Sequence, residues 1–247
     1  MRIGIMLRSI DEKGGVGVYT RNIVKELLQL DHKNEYVLFY ANRSNLGLFS
    51  QHKNVTEHWV KGSNKAYWDQ VAIPRACRSE DVDIIFHPKF TVPLFVPCKA
   101  VMVVHGADWL IPEQARFYTY GDVKYMQLML PLYFRKSSAV ISVSQETTDN
   151  FNRILRLPAG KVQTIYFAPA RNFKRITNPE TLNKVKARYN LPERFILTLT
   201  KLKGGGRKNL GQIFKAYARY HEQAVNPHKL VIGGKDCHRF RDEYSIP

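Results

Sequence analysis

Short apolar runs rich in β-branched and aromatic residues recur along the chain with helix-patterned segments between them, and this alternation constrains the fold most. The runs are Arg2–Leu7, Glu35–Tyr40, Val82–Phe86, Ala100–His105, Ala139–Val143, Lys161–Phe167, Arg194–Leu202 and Lys229–Gly233. Strands separated by helix-length connections pair in parallel. The first run is apolar at nearly every position, as a strand covered on both faces must be, so it is expected inside the sheet. The fold class is therefore α/β.

The intervening segments carry helix signals. Val16, Tyr19, Ile23, Leu27 and Leu30 recur at helical spacing, which predicts a helix opened by Gly14–Gly17 and buried on that stripe. Asn178-Pro179 reads as a cap followed by a first-turn proline, with Leu182, Val185 and Tyr189 on one face. A third helix is expected from about Lys208-Asn209, carrying Leu210, Phe214, Tyr217 and His221. Ser144-Gln145-Glu146 reads as a helix N-cap with an acid in the first turn, not as a nucleophile, because it lacks a Gly-x-Ser-x-Gly elbow. A polar, basic stretch at Ala168–Pro179 interrupts the pattern, which predicts domains at 1–170 and 171–247. Only two strand runs follow it, too few for a complete doubly wound core.

Composition narrows the class. The 247 residues are 44% hydrophobic and 24% charged, enough apolar material for a folded core. No run reaches the ~18 apolar residues of a membrane span, and the N-terminus reads as a strand and not a signal peptide, so a cytoplasmic location is expected. Cys77, Cys98 and Cys237 have neither disulfide-framework nor zinc spacing and are expected to be buried or idle thiols; no metal site is expected. The 38 Lys and Arg against 21 Asp and Glu give +17. Between Asn150 and Leu210 there are 14 basic and 2 acidic residues, a local excess of 14 − 2 = 12. Such an excess suits an anionic partner: a phosphorylated small molecule, an anionic membrane surface at the inner face, or nucleic acid.

Three loops carry candidate chemistry. Gly14-Gly15-Val16-Gly17 opens a helix after the first strand, where free N–H groups and glycines let a phosphate approach. As a dinucleotide fingerprint it lacks the third small residue, and the next strand ends without the ribose-holding acid, so NAD is not expected. His105 and Asp108 follow the run Ala100–Val104, at the strand end where α/β ligands gather. His105 is either functional or structural; Asp108 either binds a hydroxyl or caps a turn. Lys201, Arg207 and Lys208 flank Gly204-Gly205-Gly206 and can converge on a diphosphate, without the Gly-Lys-Ser/Thr of a Walker loop.

Together these pieces resemble the group-1 retaining glycosyltransferases of the GT-B fold. Gly14-Gly15-Val16-Gly17-Val18-Tyr19-Thr20-Arg21 is similar to that family's glycine-rich loop and Val103-Val104-His105 to its histidine-bearing strand end. Arg135 to Ser144 is similar to its approach to the last part of the first domain, and Arg207-Lys208-Asn209-Leu210 to the start of its donor-binding domain. The resemblance implies a Rossmann-like N-terminal acceptor-side domain, the incomplete start of a second Rossmann-like domain, and a truncated or fragmentary enzyme. It implies sugar transfer from a UDP- or GDP-sugar to a glycan or lipid acceptor with retention and without metal or cofactor; nucleic acid is then not expected as a partner. By the same resemblance His105 lies beside the transferred sugar, Gly15 and Gly17 near the donor phosphates, Lys201, Arg207 and Lys208 at the leaving diphosphate, and Tyr19 and Asp108 on the acceptor side.

Overall fold

The computed structural model describes residues 1–200, 208–234 and 237–239. The chain divides into two units, Met1–Ala170 and Arg171–Pro247. The first is built on seven strands: β1 Arg2–Met6, β2 Glu35–Tyr40, β3 Val55–Trp59, β4 Ile84–His87, β5 Lys99–Val104, β6 Ala139–Ser142 and β7 Val162–Thr164. Their order is β3-β2-β1-β4-β5-β6-β7 and every pairing is parallel. β1 sits between β2 and β4, in the interior position that its continuous apolar run requires.

β3 has no counterpart among the apolar runs of the sequence. Its residues Val-Thr-Glu-His-Trp face partly to solvent at the sheet edge, so the segment does not need an apolar run. Glu57 on this strand accepts from the Tyr40 hydroxyl at 3.0 Å and from the Phe49 amide at 2.8 Å, tying the edge to the interior.

Helices cover both faces. Helix α1 (Gly15–Leu30) packs with Ile5, Leu7, Leu38 and Tyr40 on one side of the sheet. Its buried residues are Gly17, Thr20, Val24 and Leu28, one position on from the stripe expected from hydrophobicity. Tyr19, Ile23 and Leu27 are only partly buried, and Leu30 is exposed. The small residues decide this rotation. Gly17 and Thr20 let the helix press against the loop after β1, where the Thr20 and Ser9 hydroxyls pair at 2.8 Å.

On the opposite face the polypeptide passes through α2 (Lys65–Tyr67), a wider turn over Trp68–Ala72, and α3 (Ile73–Ser79). The short α4 (Pro112–Ala115) precedes α5 (Tyr120–Lys136), and α6 (Gln145–Leu155) follows β6. Ile73, Cys77, Leu130, Phe134 and Phe151 join Met6, Val37 and Met102 in one core on that face. Ser144 caps α6, accepting from the Thr147 amide at 3.2 Å.

The second unit contains α7 (Pro179–Tyr189), β8 (Phe195–Leu199), α8 (Leu210–Gln223) and β9 (Lys229–Gly233), with β8 and β9 paired in parallel. Asn178 caps α7, its side chain accepting from the Thr181 amide at 2.9 Å. Leu210 is the buried centre of a small core with Ile213, Phe214 and Ile232. Two paired strands bury little, and Tyr189 and Leu199 stand exposed.

Candidate active site at the carboxyl edge of the first sheet

In a parallel sheet of this order, the chain leaves β1 towards one face and β4 towards the other, opening a crevice at their carboxyl ends. The loops after β1, β4 and β5 meet there. Lys89, after β4, forms an ion pair with Glu12, after β1. Arg21 of α1 donates to the carbonyls of Ile10 and Glu12. The loop ahead of α1 is thus pinned on three sides, and its glycines play different parts. A Cβ at Gly17 would lie 1.8 Å from the Glu12 carbonyl oxygen, so only glycine lets the helix start under this loop. A Cβ at Gly14 or Gly15 would meet nothing within 4 Å. Those two glycines border open space at the helix N-terminus, beside free N–H groups.

His105 follows β5 and is half-buried. Its Nε2–H donates to the carbonyl of Pro88 at 3.0 Å, which fixes the proton on that nitrogen. The Tyr19 ring meets the imidazole edge to face at 4.9 Å, and Phe90 lies at 5.7 Å. Burial lowers the His105 pKa below 6.5, so the ring is neutral at pH 7 with Nδ1 as an acceptor. Burial also pushes the Tyr19 phenol up to about 12, so it keeps its proton. Asp108 opens a single turn of 3-10 helix over Asp108–Leu110 without capping it. Its Oδ2 accepts from the Tyr118 hydroxyl at 2.6 Å.

A buried polar network lies beneath these loops. Arg8 Nε and Nη2 donate to Asp69 Oδ1 and Oδ2 at 3.0 and 2.9 Å, and Thr91 Oγ1 donates to Asp69 at 2.8 Å. His87, fully buried at the end of β4, donates through Nδ1 to the Thr91 carbonyl at 2.5 Å. Burial lowers its pKa to about 4. The network braces the segment that presents the Pro88 carbonyl to His105.

Sequence reasoning missed Arg8, Glu12, Asp69, His87 and Lys89. The available signal was the Phe86-His87-Pro88-Lys89 end of a buried run, since titratable residues at that end of a strand face the crevice. Of the residues singled out in the sequence, Gly15, Gly17, Tyr19, His105 and Asp108 all belong to the first unit. Lys208 stands exposed just before Asn209, the left-handed N-cap of α8, in the second. Lys201 and Arg207 lie outside the described residues. Among the described residues no three or more His, Cys, Asp or Glu side chains come together as metal ligands, and no helix is long and apolar enough to cross a membrane.

The sequence matches Glycosyltransferase Family 4 over residues 13–167, more than half of the chain and from the glycine-rich loop to the end of the first unit. The chain belongs to that family. It is 27% identical over 143 residues to the serotype-specific mannosyltransferase WbdA of Escherichia coli, a match covering 57% of this chain and 17% of WbdA. The chain therefore aligns with about a sixth of the length of that relative.

Solved structures agree on the architecture. Anabaena Alr3699/HepE, crystallised with UDP-glucose, superposes with a TM-score of 0.65 at 15% identity, covering 100% of this chain and 66% of that one. WaaG, a glycosyltransferase involved in lipopolysaccharide biosynthesis, gives 0.65 at 13% identity over 98% of this chain and 66% of its own. The fold is that of the GT-B glycosyltransferases.

Proposed function

We propose that this family member transfers a sugar from a UDP- or GDP-sugar to a glycan or lipid acceptor, with retention of configuration and without a metal ion. The observation that carries the reading is His105, held neutral at the carboxyl end of β5 with Nε2–H anchored on Pro88. Its Nδ1 accepts a hydrogen bond from a hydroxyl of the transferred sugar. A neutral ring suits that place, because positive charge develops on the sugar as its bond to the diphosphate breaks and an imidazolium would oppose it. The backbone at Gly15 receives the donor phosphates, with Gly17 allowing the helix start to lie there. Lys201, Arg207 and Lys208 neutralise the leaving diphosphate. Tyr19 fixes the imidazole plane, and Asp108 faces the acceptor. A labelled-donor assay tests this: the expected result is transfer of label with the donor's anomeric configuration, and the opposing one is no transfer from any UDP- or GDP-sugar by folded protein.

A lipid acceptor would bring the protein to a membrane surface, and α5 supports that. Met126, Leu130, Tyr133 and Phe134 are buried, yet Tyr120, Tyr125, Leu128 and Leu132 on its outer face are exposed. These apolar side chains share the exposed side of α5 with Lys124, Gln127 and Arg135, and an exposed apolar patch mixed with cations fits an interface. Lys124 lies over the Tyr120 ring at 5.5 Å and Arg116 over Phe117 at 4.9 Å, placing cations at the edge of this patch, as an anionic lipid surface requires. Sedimentation with anionic vesicles should carry the protein down and Leu128→Glu should abolish it; equal sedimentation of both would contradict this placement.

A further inference from the structure

Past the carboxyl ends of β1, β2 and β3 the first unit has a pocket of about 180 Å³, lined by Arg8, Ala41, Gly62, Asn64, Lys65 and Trp68. It is smaller than the roughly 300 Å³ at which ligand pockets begin, so it fits one functional group of a ligand and not a whole nucleotide sugar. Its chemistry is one-sided. Arg8 uses Nε and Nη2 on Asp69, and its Nη1 has no hydrogen-bond partner among the described residues. Asn64 commits Oδ1 to the Tyr67 amide at 2.9 Å, which leaves the Nδ2 donors without a partner there. Lys65 is exposed, with no ion pair among the described residues. No carboxylate lines the pocket; Asp69 lies behind Arg8 and holds its fork in place.

A guanidinium held by Asp69, with an amide and an ammonium beside it around a space that small, makes a site for a tetrahedral oxyanion. We infer that this pocket binds a phosphate group carried by the acceptor, so that the acceptor is a phosphorylated compound. The inference rests on the glycosyltransferase reading for the word acceptor; the phosphate site itself does not. Gly62 shapes the pocket, since a Cβ there would come within 2.9 Å of the Trp68 Cβ and displace its wall.

The test is an NMR titration of the full chain with inorganic phosphate, following the Asn64 side-chain amide and the Trp68 indole, with sodium chloride and sodium acetate arms at equal ionic strength. Saturable shifts at both reporters with phosphate alone are expected. Asn64→Asp keeps the helix cap but replaces the amide donors with a carboxylate oxygen, and it should weaken phosphate binding at least tenfold. Lys65→Gln should weaken it several-fold. Both positions are exposed, so the thermal midpoint should stay put. Shifts equal to those of chloride, acetate binding as tight as phosphate, or unchanged affinity in Asn64→Asp would each overturn the inference. No sugar donor is present, so failure here leaves the transfer reading standing, and absent transfer with intact phosphate binding strikes only that reading.

Discussion

The imidazole of His105 donates its Nε2 proton to the Pro88 carbonyl at 3.0 Å, so the loop after β4 sets the tautomer of a ring that follows β5. Two neighbouring strands thereby build one functional group. His105→Ala should lower transfer by about a hundredfold, the scale of losing one positioned polar group in a dry site, while the thermal midpoint moves little. Activity should also fall on the acid side. Burial, with the charge of Lys89 adding to it, holds the His105 pKa below 6.5. Protonation turns Nδ1 from acceptor to donor only as pH drops through that lowered value. Lys89→Gln removes a cation that lowers the pKa, so its acid limb should lie at higher pH than that of the wild type in a pH–rate profile.

Stability has a separate pH dependence, centred on His87. The unfolded chain takes up a proton at His87 near 6.5, whereas the folded chain resists until about 4. The unfolded state therefore binds more protons between those values, and stability falls as pH drops from 6.5 towards 4. At about 1.4 kcal/mol per pH unit the full loss is about 3.5 kcal/mol. Urea unfolding at pH 7 and pH 4.5 should show most of it, and His87→Gln should show a smaller difference between the two pH values.

The glycines of the first loop separate packing from binding. Gly17→Ala forces a Cβ against the Glu12 carbonyl and should destabilise the protein by about 2 kcal/mol. Gly15→Ala meets open space in a first helical turn, so stability should hold or rise by up to about 1 kcal/mol. If donor phosphates come to that backbone, the same variant should raise the donor KM at least tenfold. Thermal melts and donor saturation curves on the two variants check both statements.

Asp69 holds the underside of the site. Its carboxylate takes both Arg8 donors and the Thr91 hydroxyl, and only 6% of its side chain is exposed. Asp69→Ala leaves a nearly buried guanidinium without its partner, and about 3 kcal/mol of stability should be lost in chemical denaturation. An exposed pair such as Lys184–Glu180 should cost less than 1 kcal/mol when broken in the same assay.

The parallel α/β architecture was legible because β1, β2, β4, β5 and β6 bury both faces and leave continuous apolar runs in the sequence. Edge strand β3 was not, since partial exposure lets Glu57 and His58 stand in a strand. The caps Ser144 and Asn178 were readable from local chemistry alone. The buried stripe of α1 was read one residue early, because close packing through Gly17 and Thr20 leaves no hydrophobic signal. At the candidate site, single residues at strand ends could be named, as His105 was. The Arg8–Asp69–Thr91–His87 network could not: its members lie up to 83 positions apart, and they meet only because β1 pairs with β4 and the chain between β3 and β4 returns beside them.

An NMR titration of this chain with UDP- and GDP-sugars, reading Gly15, Tyr19 and His105, tests whether the carboxyl edge of the first sheet holds a nucleotide sugar. Saturable shifts at all three with one of these donors are the expected result. Saturation that leaves those residues unmoved, or no saturable binding of any nucleotide sugar, would rule out a donor site there.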